Sequence, residues 1–479
     1  MALVFGSTTP EEESRVSLQS SERTDLRVCI IGAGLGGVTT AVQLRKKGID
    51  QVTLFESTQE IGGAWQQDAF LDPEATLAHK HVTSLVDEHD IRPLIRFGRT
   101  VSRVVWDESS HQYAVTLASG ETFTFDIVVS AVGILNAPKI PAWKGLESFA
   151  GPIFHAADWD HSNHVAGKRV AVVGTGSTGS QLTIALAPQV AHLHVFQRDP
   201  GWMIPQTDEE GIWGDQTILR DSVANQRAQA LASARIDSVL AGRPDLRAAV
   251  TPTHPFLGKM PVRADGFYET LLRDNVTLVP HAVASITPKG VVDVEDELHE
   301  VDVVVLATGF KLADYLGNLD VIGRNGRSLQ DRWAGEPEAF LGMSVPGFPN
   351  FYMVDGPNTF MGTETLQLSI QADYIAKDVK RMSRTGITSI EVRESFHAKY
   401  NDWLQDRLDK TVWATTDNPL QSPSGKLVVP FPGSVISYEA MARTMRRSSA
   451  LARTLDRSAS MDSLIEGLTQ ADLVSSGRR

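Results

Sequence analysis

Short, unbroken apolar runs punctuate this chain, and the strongest are followed at once by glycine. "RVCII" (27–31) is one; a run of that length and kind predicts a strand covered on both faces, as in a parallel sheet. After it, Val38, Ala41, Val42 and Leu44 form one loose helical face ending near Gly48, which predicts a helix and its stop. "QVTLFE" (51–56) is the next strand, completing a β-α-β unit. From Lys168 the pattern repeats as "KRVAVVGTGSTGSQLTIALA" and then "HLHVFQR", displaced by 174 − 32 = 142 residues. That offset is too long for a solenoid and predicts two similar units. Between them "VSRVVW", "YAVTL" and "TFTFDIVVSAVG", with a turn at "ASGE", predict an antiparallel meander leading into a buried strand. Later, Ala-rich 220–242 predicts a helix, and "VDVVVLATGF" (301–310) and "NFYMVDGPN" (350–358) predict two more buried strands. The Ser-, Thr- and Glu-rich residues 1–25 are expected to be a disordered tail. The Arg-rich residues 441–479 place Met441, Met445, Ala452 and Leu455 at roughly helical spacing, as in a solvated tail helix.

The α/β pattern sits in a chain of 479 residues, 42% hydrophobic and 22% charged, enough for two or three domains with substantial cores. The formal charge of −13 argues against nucleic acid as a partner, because phosphates are neutralised by clustered Lys and Arg. Cys29 is the single cysteine, which excludes an internal disulfide framework and a redox-active cysteine pair. No apolar stretch approaches the roughly 20 residues of a membrane span, and no secretory signal opens the chain. A reducing cytoplasm is the expected location.

Gly32, Gly34 and Gly37 form G-x-G-x-x-G, and Gly174, Gly176 and Gly179 form a second. The first glycine of such a loop permits a tight turn out of the strand. The second lets backbone approach a pyrophosphate, and the third lets helix pack closely on strand. The helix N-terminus then offers free N–H groups to the phosphates. Glu56 stands 56 − 32 = 24 residues after the first loop begins. A carboxylate there accepts hydrogen bonds from ribose hydroxyls and repels a 2′-phosphate, so this site suits FAD or NAD. The second unit's strand ends instead at Arg198, suited to the 2′-phosphate of NADPH, although Asp199 beside it would weaken phosphate binding. Two dinucleotide sites imply hydride transfer from nicotinamide to flavin. With one cysteine the acceptor cannot be a disulfide, which leaves molecular oxygen.

The stretch "FAGPIFHAADWD" (149–160) carries Phe149, Gly151, His155 and Trp159 in the order F-x-G-x-x-x-H-x-x-x-W-[PD]. It resembles the fingerprint of Baeyer–Villiger monooxygenases and their class B flavoprotein relatives. The resemblance runs from about Leu26 to Tyr438 and takes in "GGAW" (62–65), "APKIPAWKGLESF" (137–149), "VFQR" (195–198), "GFYETLLRDNVTLV" (266–279), "DGPN" (355–358) and "YNDWLQDRLDKTVWA" (400–414). It implies two Rossmann-like dinucleotide-binding domains, the second inserted into the first. FAD would lie on Gly32, Gly34, Gly37 and Glu56, with Trp65 nearby. NADPH would lie on Gly174, Gly176, Gly179, Arg198 and Lys259. The implied boundaries are 26–148 and 311–440 for FAD, 149–162 for a linker holding the fingerprint, 163–205 and 256–310 for NADPH, and 206–255 for a short helical insertion. The implied reaction uses a small organic substrate and O2. A flavin C4a-peroxide attacks a ketone carbonyl and rearrangement yields an ester or lactone.

The sequence also departs from that pattern. The residue after Lys259, where the family usually carries an arginine that stabilises the peroxyflavin, is Met260, so no catalytic residue is transferred. The segment after Trp65 is short and lacks the family's Tyr-Pro-Gly and the following Asp; Asp68 and Asp72 do not match by spacing. The helical insertion is short, and "TTDNPLQSPSGK" (415–426) lacks the family's aromatics. Two alternatives therefore stand beside ketone oxygenation: oxygenation of a sulfur or nitrogen, and a flavoprotein impaired in oxygenation, either an NADPH oxidase or an inactive remnant.

Overall fold

The computed structural model describes residues 25–65, 73–159, 164–205, 216–360, 362 and 364–454. The expected tail at 1–25 lies, save for Asp25, outside them, as do Asp68 and Asp72. Two five-stranded, all-parallel sheets organise the chain. In the first, Val28–Ile31 lies between Ile127–Ser130 and Val52–Phe55, with Phe351–Met353 and Ile95–Arg96 at the edges. In the second, Arg169–Val173 lies between Val303–Leu306 and His192–Phe196, with Ile153–His155 and Val276–Val279 at the edges. The interior strands Val28–Ile31 and Val303–Leu306 are buried along their whole length, which explains why they read as continuous apolar runs.

Each sheet is built the same way around its glycine loop. The strand before the loop is central. Helix Leu35–Lys46 or Ser177–Leu186 leads to the strand on one side. On the other side lies a strand whose next residues are Ala131 or Ala307. The meander appears as Val101–Asp107, Gln112–Leu117 and Thr122–Phe125, joined by Asp320–Ile322 at its edge. Helix Ser222–Val239 spans the Ala-rich segment and buries Ala228, Ala232 and Ile236 in the second unit's core.

Two expectations need correction. The stretch expected as a linker at 149–162 contains a strand of the second sheet: Ile153–His155 pairs in parallel with Val304–Leu306 and forms its edge. Nor does residue 441 begin a tail. Helix Val435–Met445 buries Tyr438 and Ala442 against the first core, and Ala450–Arg453 pairs antiparallel with Ser389–Val392. Ala452 is therefore on a strand, while Leu455 lies outside the described residues. The anchor is electrostatic as well as apolar. Arg446 Nη1 lies 2.6 Å from Asp378 Oδ1, which is buried on the long helix Glu364–Thr385. Removing one partner of a buried pair strands the other charge, which costs about 3–5 kcal/mol. Arg446→Met should lower stability by that amount in denaturant unfolding, whereas Arg443→Met should be nearly neutral.

Candidate dinucleotide-binding sites

At the first loop Gly32 has φ +107° and faces the Ala131 carbonyl; a Cβ there would lie 2.5 Å from its oxygen. A Cβ on Gly37 would overlap the Gly32 carbonyl, and one on Gly34 would rest 3.6 Å from Gly63 Cα. The second loop reproduces this. Gly174 has φ +113° and faces the Ala307 carbonyl, and Gly179 packs on the Gly174 carbonyl. A Cβ on Gly176 would meet nothing within 4 Å. The first and third glycines are thus required by the protein's own backbone, while Gly176 borders open space that a ligand can enter. Helices Leu35–Lys46 and Ser177–Leu186 have no side-chain cap and no acid in the first turn. Their leading N–H groups are left for an external anion, which is the chemistry a pyrophosphate requires.

Glu56 follows Val52–Phe55 and is buried. Ala33 N donates to Oε2 at 2.8 Å; Thr58 N and Oγ1 donate to Oε1 at 2.8 and 2.9 Å. The carboxylate is thereby held against the loop, with Oε2 keeping acceptor capacity for a ribose hydroxyl. Gly62 N donates to the Ala33 carbonyl at 3.2 Å, so the "GGAW" segment lies against the same loop, and Trp65 packs on the first core.

At the second site Arg198 and Lys259, distant in sequence, converge on Asp199. Arg198 Nε and Lys259 Nζ lie 2.9 and 3.5 Å from Asp199 Oδ2. Burial alone would raise the Asp199 carboxyl, but the two cations together hold it below its ordinary value. Met260, half-buried, turns instead to the core of the first unit. The loop carrying both residues is tied down by Asn418, whose Nδ2 donates to the Gly258 carbonyl at 3.2 Å. Asn418 and the carbonyls of Ala131 and Ala307 are site-building groups that sequence reading missed. The repeated "VVSAVG" and "VVLATG" was the available signal for the alanines.

The fingerprint residues have structural work. Phe149 packs with Trp143, Leu146 and Ile153 on the second sheet's core. Gly151 faces the Asp302 carbonyl so closely that a Cβ would overlap it. His155 is buried; Ala157 N donates to Nδ1 at 3.1 Å, which leaves the Nε2 proton to the Gly309 carbonyl at 3.2 Å. Burial holds its pKa below the usual imidazole value, against the raising effect of that carbonyl. A neutral ring with both nitrogens engaged is a pin. Trp159 sets its ring at 88° to Phe154, with centroids 5.2 Å apart.

Residues 79–318 match the model of the flavin-binding monooxygenase-like family, and residues 30–95 that of an NAD(P)-binding Rossmann-like domain. The chain belongs to the flavin-binding monooxygenase-like family. It is 29% identical to a Baeyer–Villiger monooxygenase of Pseudomonas aeruginosa over 88% of this chain and 90% of that one. It is 30% identical to an uncharacterised monooxygenase of Mycobacterium tuberculosis over 81% of this chain and 88% of the other. Cyclohexanone monooxygenase from Rhodococcus sp. Phi1, solved bound to NADP+, superposes with a TM-score of 0.82 at 26% identity. That match covers 90% of this chain and 99% of that one. Among the described residues no helix is long and apolar enough to cross a membrane.

Proposed function

We propose that this flavin-binding monooxygenase-family member uses FAD and NADPH to insert one oxygen atom beside the carbonyl of a small organic ketone, giving an ester or lactone. The observation that carries this reading is the pair of equivalently built glycine cradles, one followed by Glu56 and the other by Arg198 with Lys259. We assign residues 26–148 and 311–440 to the FAD unit, extended through Arg453 by the packing of the C-terminal helix and strand. Residues 163–205 and 256–310, with the edge strand Ile153–His155, form the NADPH unit.

Gly32, Gly34 and Gly37 give a pyrophosphate access to the amides at the start of Leu35–Lys46, and Glu56 accepts from a ribose hydroxyl through Oε2. Gly174, Gly176 and Gly179 do the same at Ser177–Leu186, and Arg198 and Lys259 supply positive charge for a 2′-phosphate. Bound and reduced flavin supplies the oxygen-activating chemistry. His155 holds the second sheet's edge strand to the turn at Gly309, fixing one wall of the NADPH unit rather than moving a proton.

The test is oxygen and NADPH consumption by FAD-loaded protein across a ketone panel, with mass spectrometry for products heavier by one oxygen atom. Failure on every ketone alongside conversion of a sulfide or amine would move the assignment to heteroatom oxygenation. Met260 supports a second reading, because it offers no charge where the family resemblance expects a cation. In that case NADPH is oxidised and hydrogen peroxide accumulates without an oxygenated product.

A further inference from the structure

The second site already contains an anion. Arg198 lies 198 − 174 = 24 residues past Gly174, the same offset as Glu56 from Gly32, so Asp199 is one residue beyond the position of the ribose-binding acid. Glu56 is buried and held by backbone and hydroxyl donors. Asp199 has a side chain 49% exposed and lies between two cations that belong to different parts of the chain. Both cations approach the same oxygen, Oδ2.

We propose that Asp199 is an internal stand-in for the 2′-phosphate, and that it makes the second site accept NADH as well as NADPH. The inference rests on the reading of this loop as the nicotinamide dinucleotide site. A 2′-phosphate reaching Arg198 and Lys259 competes with a carboxylate tethered one residue from Arg198, whose effective concentration is therefore high. Once displaced, that carboxylate remains beside the phosphate and repels it. NADH requires no displacement: Oδ2 keeps both cations, and Oδ1 is an acceptor for the ribose 2′-hydroxyl. One acid thus weakens the phosphorylated cofactor and supplies a contact to the unphosphorylated one. The two cations hold Asp199 ionised, so the competition operates at neutral pH.

The experiment is calorimetric titration of FAD-loaded wild type, D199N and D199N/K259A with 2′,5′-ADP and with 5′-AMP, alongside anaerobic flavin reduction by NADPH and NADH. These measurements involve no oxygenation, so failure of the ketone reaction leaves them interpretable. Charge-assisted contacts of about 1.5–3 kcal/mol correspond to roughly ten- to hundredfold in affinity. D199N should therefore raise the preference for 2′,5′-ADP over 5′-AMP at least about tenfold. The preference for NADPH over NADH should rise in parallel, and D199N/K259A should lose most of the gain. A preference within twofold of wild type in D199N would overturn the proposal. If neither nucleotide binds wild type or D199N while both retain FAD and an unchanged melting temperature, the assignment of the second loop to a nicotinamide cofactor fails, and this proposal with it.

Discussion

Gly37→Ala is expected to yield a protein that no longer holds flavin. The added methyl would overlap the Gly32 carbonyl and sit 3.3 Å from Ile30 Cγ2. Gly32 cannot retreat, because it is held at φ +107° with its own face against the Ala131 carbonyl. Helix Leu35–Lys46 must therefore lift from the strand, taking with it the amides proposed to bind the pyrophosphate. Overpacking of a close-packed core costs typically 1–3 kcal/mol, and here the obstacle is backbone, so flavin affinity should fall by at least about a hundredfold, ~3 kcal/mol. Gly176→Ala is the contrasting variant. Its Cβ meets nothing within 4 Å, so this protein should fold and stay yellow while binding of 2′,5′-ADP weakens. Flavin absorbance after purification and the melting temperature compare the two variants, and calorimetric titration with 2′,5′-ADP reads the loss in the second. A yellow G37A protein with wild-type stability would show that the first loop is not the flavin cradle.

Met260→Arg is expected to raise ketone turnover by about 10²-fold, since one preorganised donor at a developing charge is typically worth 10²–10³ in rate. Met260 follows Lys259 on a loop anchored through Gly258 and Asn418, and it is half-buried against the first unit's core. The aliphatic stem of an arginine can follow that apolar surface and carry its guanidinium beyond it. The gain should appear in kcat for a ketone, with Met260→Leu unchanged. If M260R stays within twofold of wild type while retaining flavin and NADPH oxidation, Met260 does not occupy the site of a missing charge.

The two variants probe different kinds of information. The glycine loops were legible because their requirements are local: strand, turn and helix follow one another within residues 28–46 in one unit and 169–186 in the other. The apolar runs at 28–31, 170–173 and 303–306 were legible because strands buried on both faces leave no polar position. The fingerprint was legible as a pattern but not as a structure. In sequence His155 is one position of a motif, and only the pairing of Ile153–His155 with Val304–Leu306 brings it to the Gly309 carbonyl. The C-terminal arginines were misread for a related reason. In sequence they form a basic cluster, whereas in the fold Arg446 meets Asp378, 68 residues away.

Two glycine-loop units, the one that carries the ribose-type acid, and the points where the chain leaves its family's pattern can all be read from the residue order. Each of these is a matter of residue type at short spacing. Tertiary structure decided that Ala131 and Ala307 wall the two loops, that Asn418 anchors the Lys259–Met260 segment, and that Lys259 and Arg198 share Asp199. Those facts depend on contacts between strands and loops distant along the chain. Charge and hydrogen bonding act over a few ångströms, and sequence separation says little about which groups the folded backbone brings within that range.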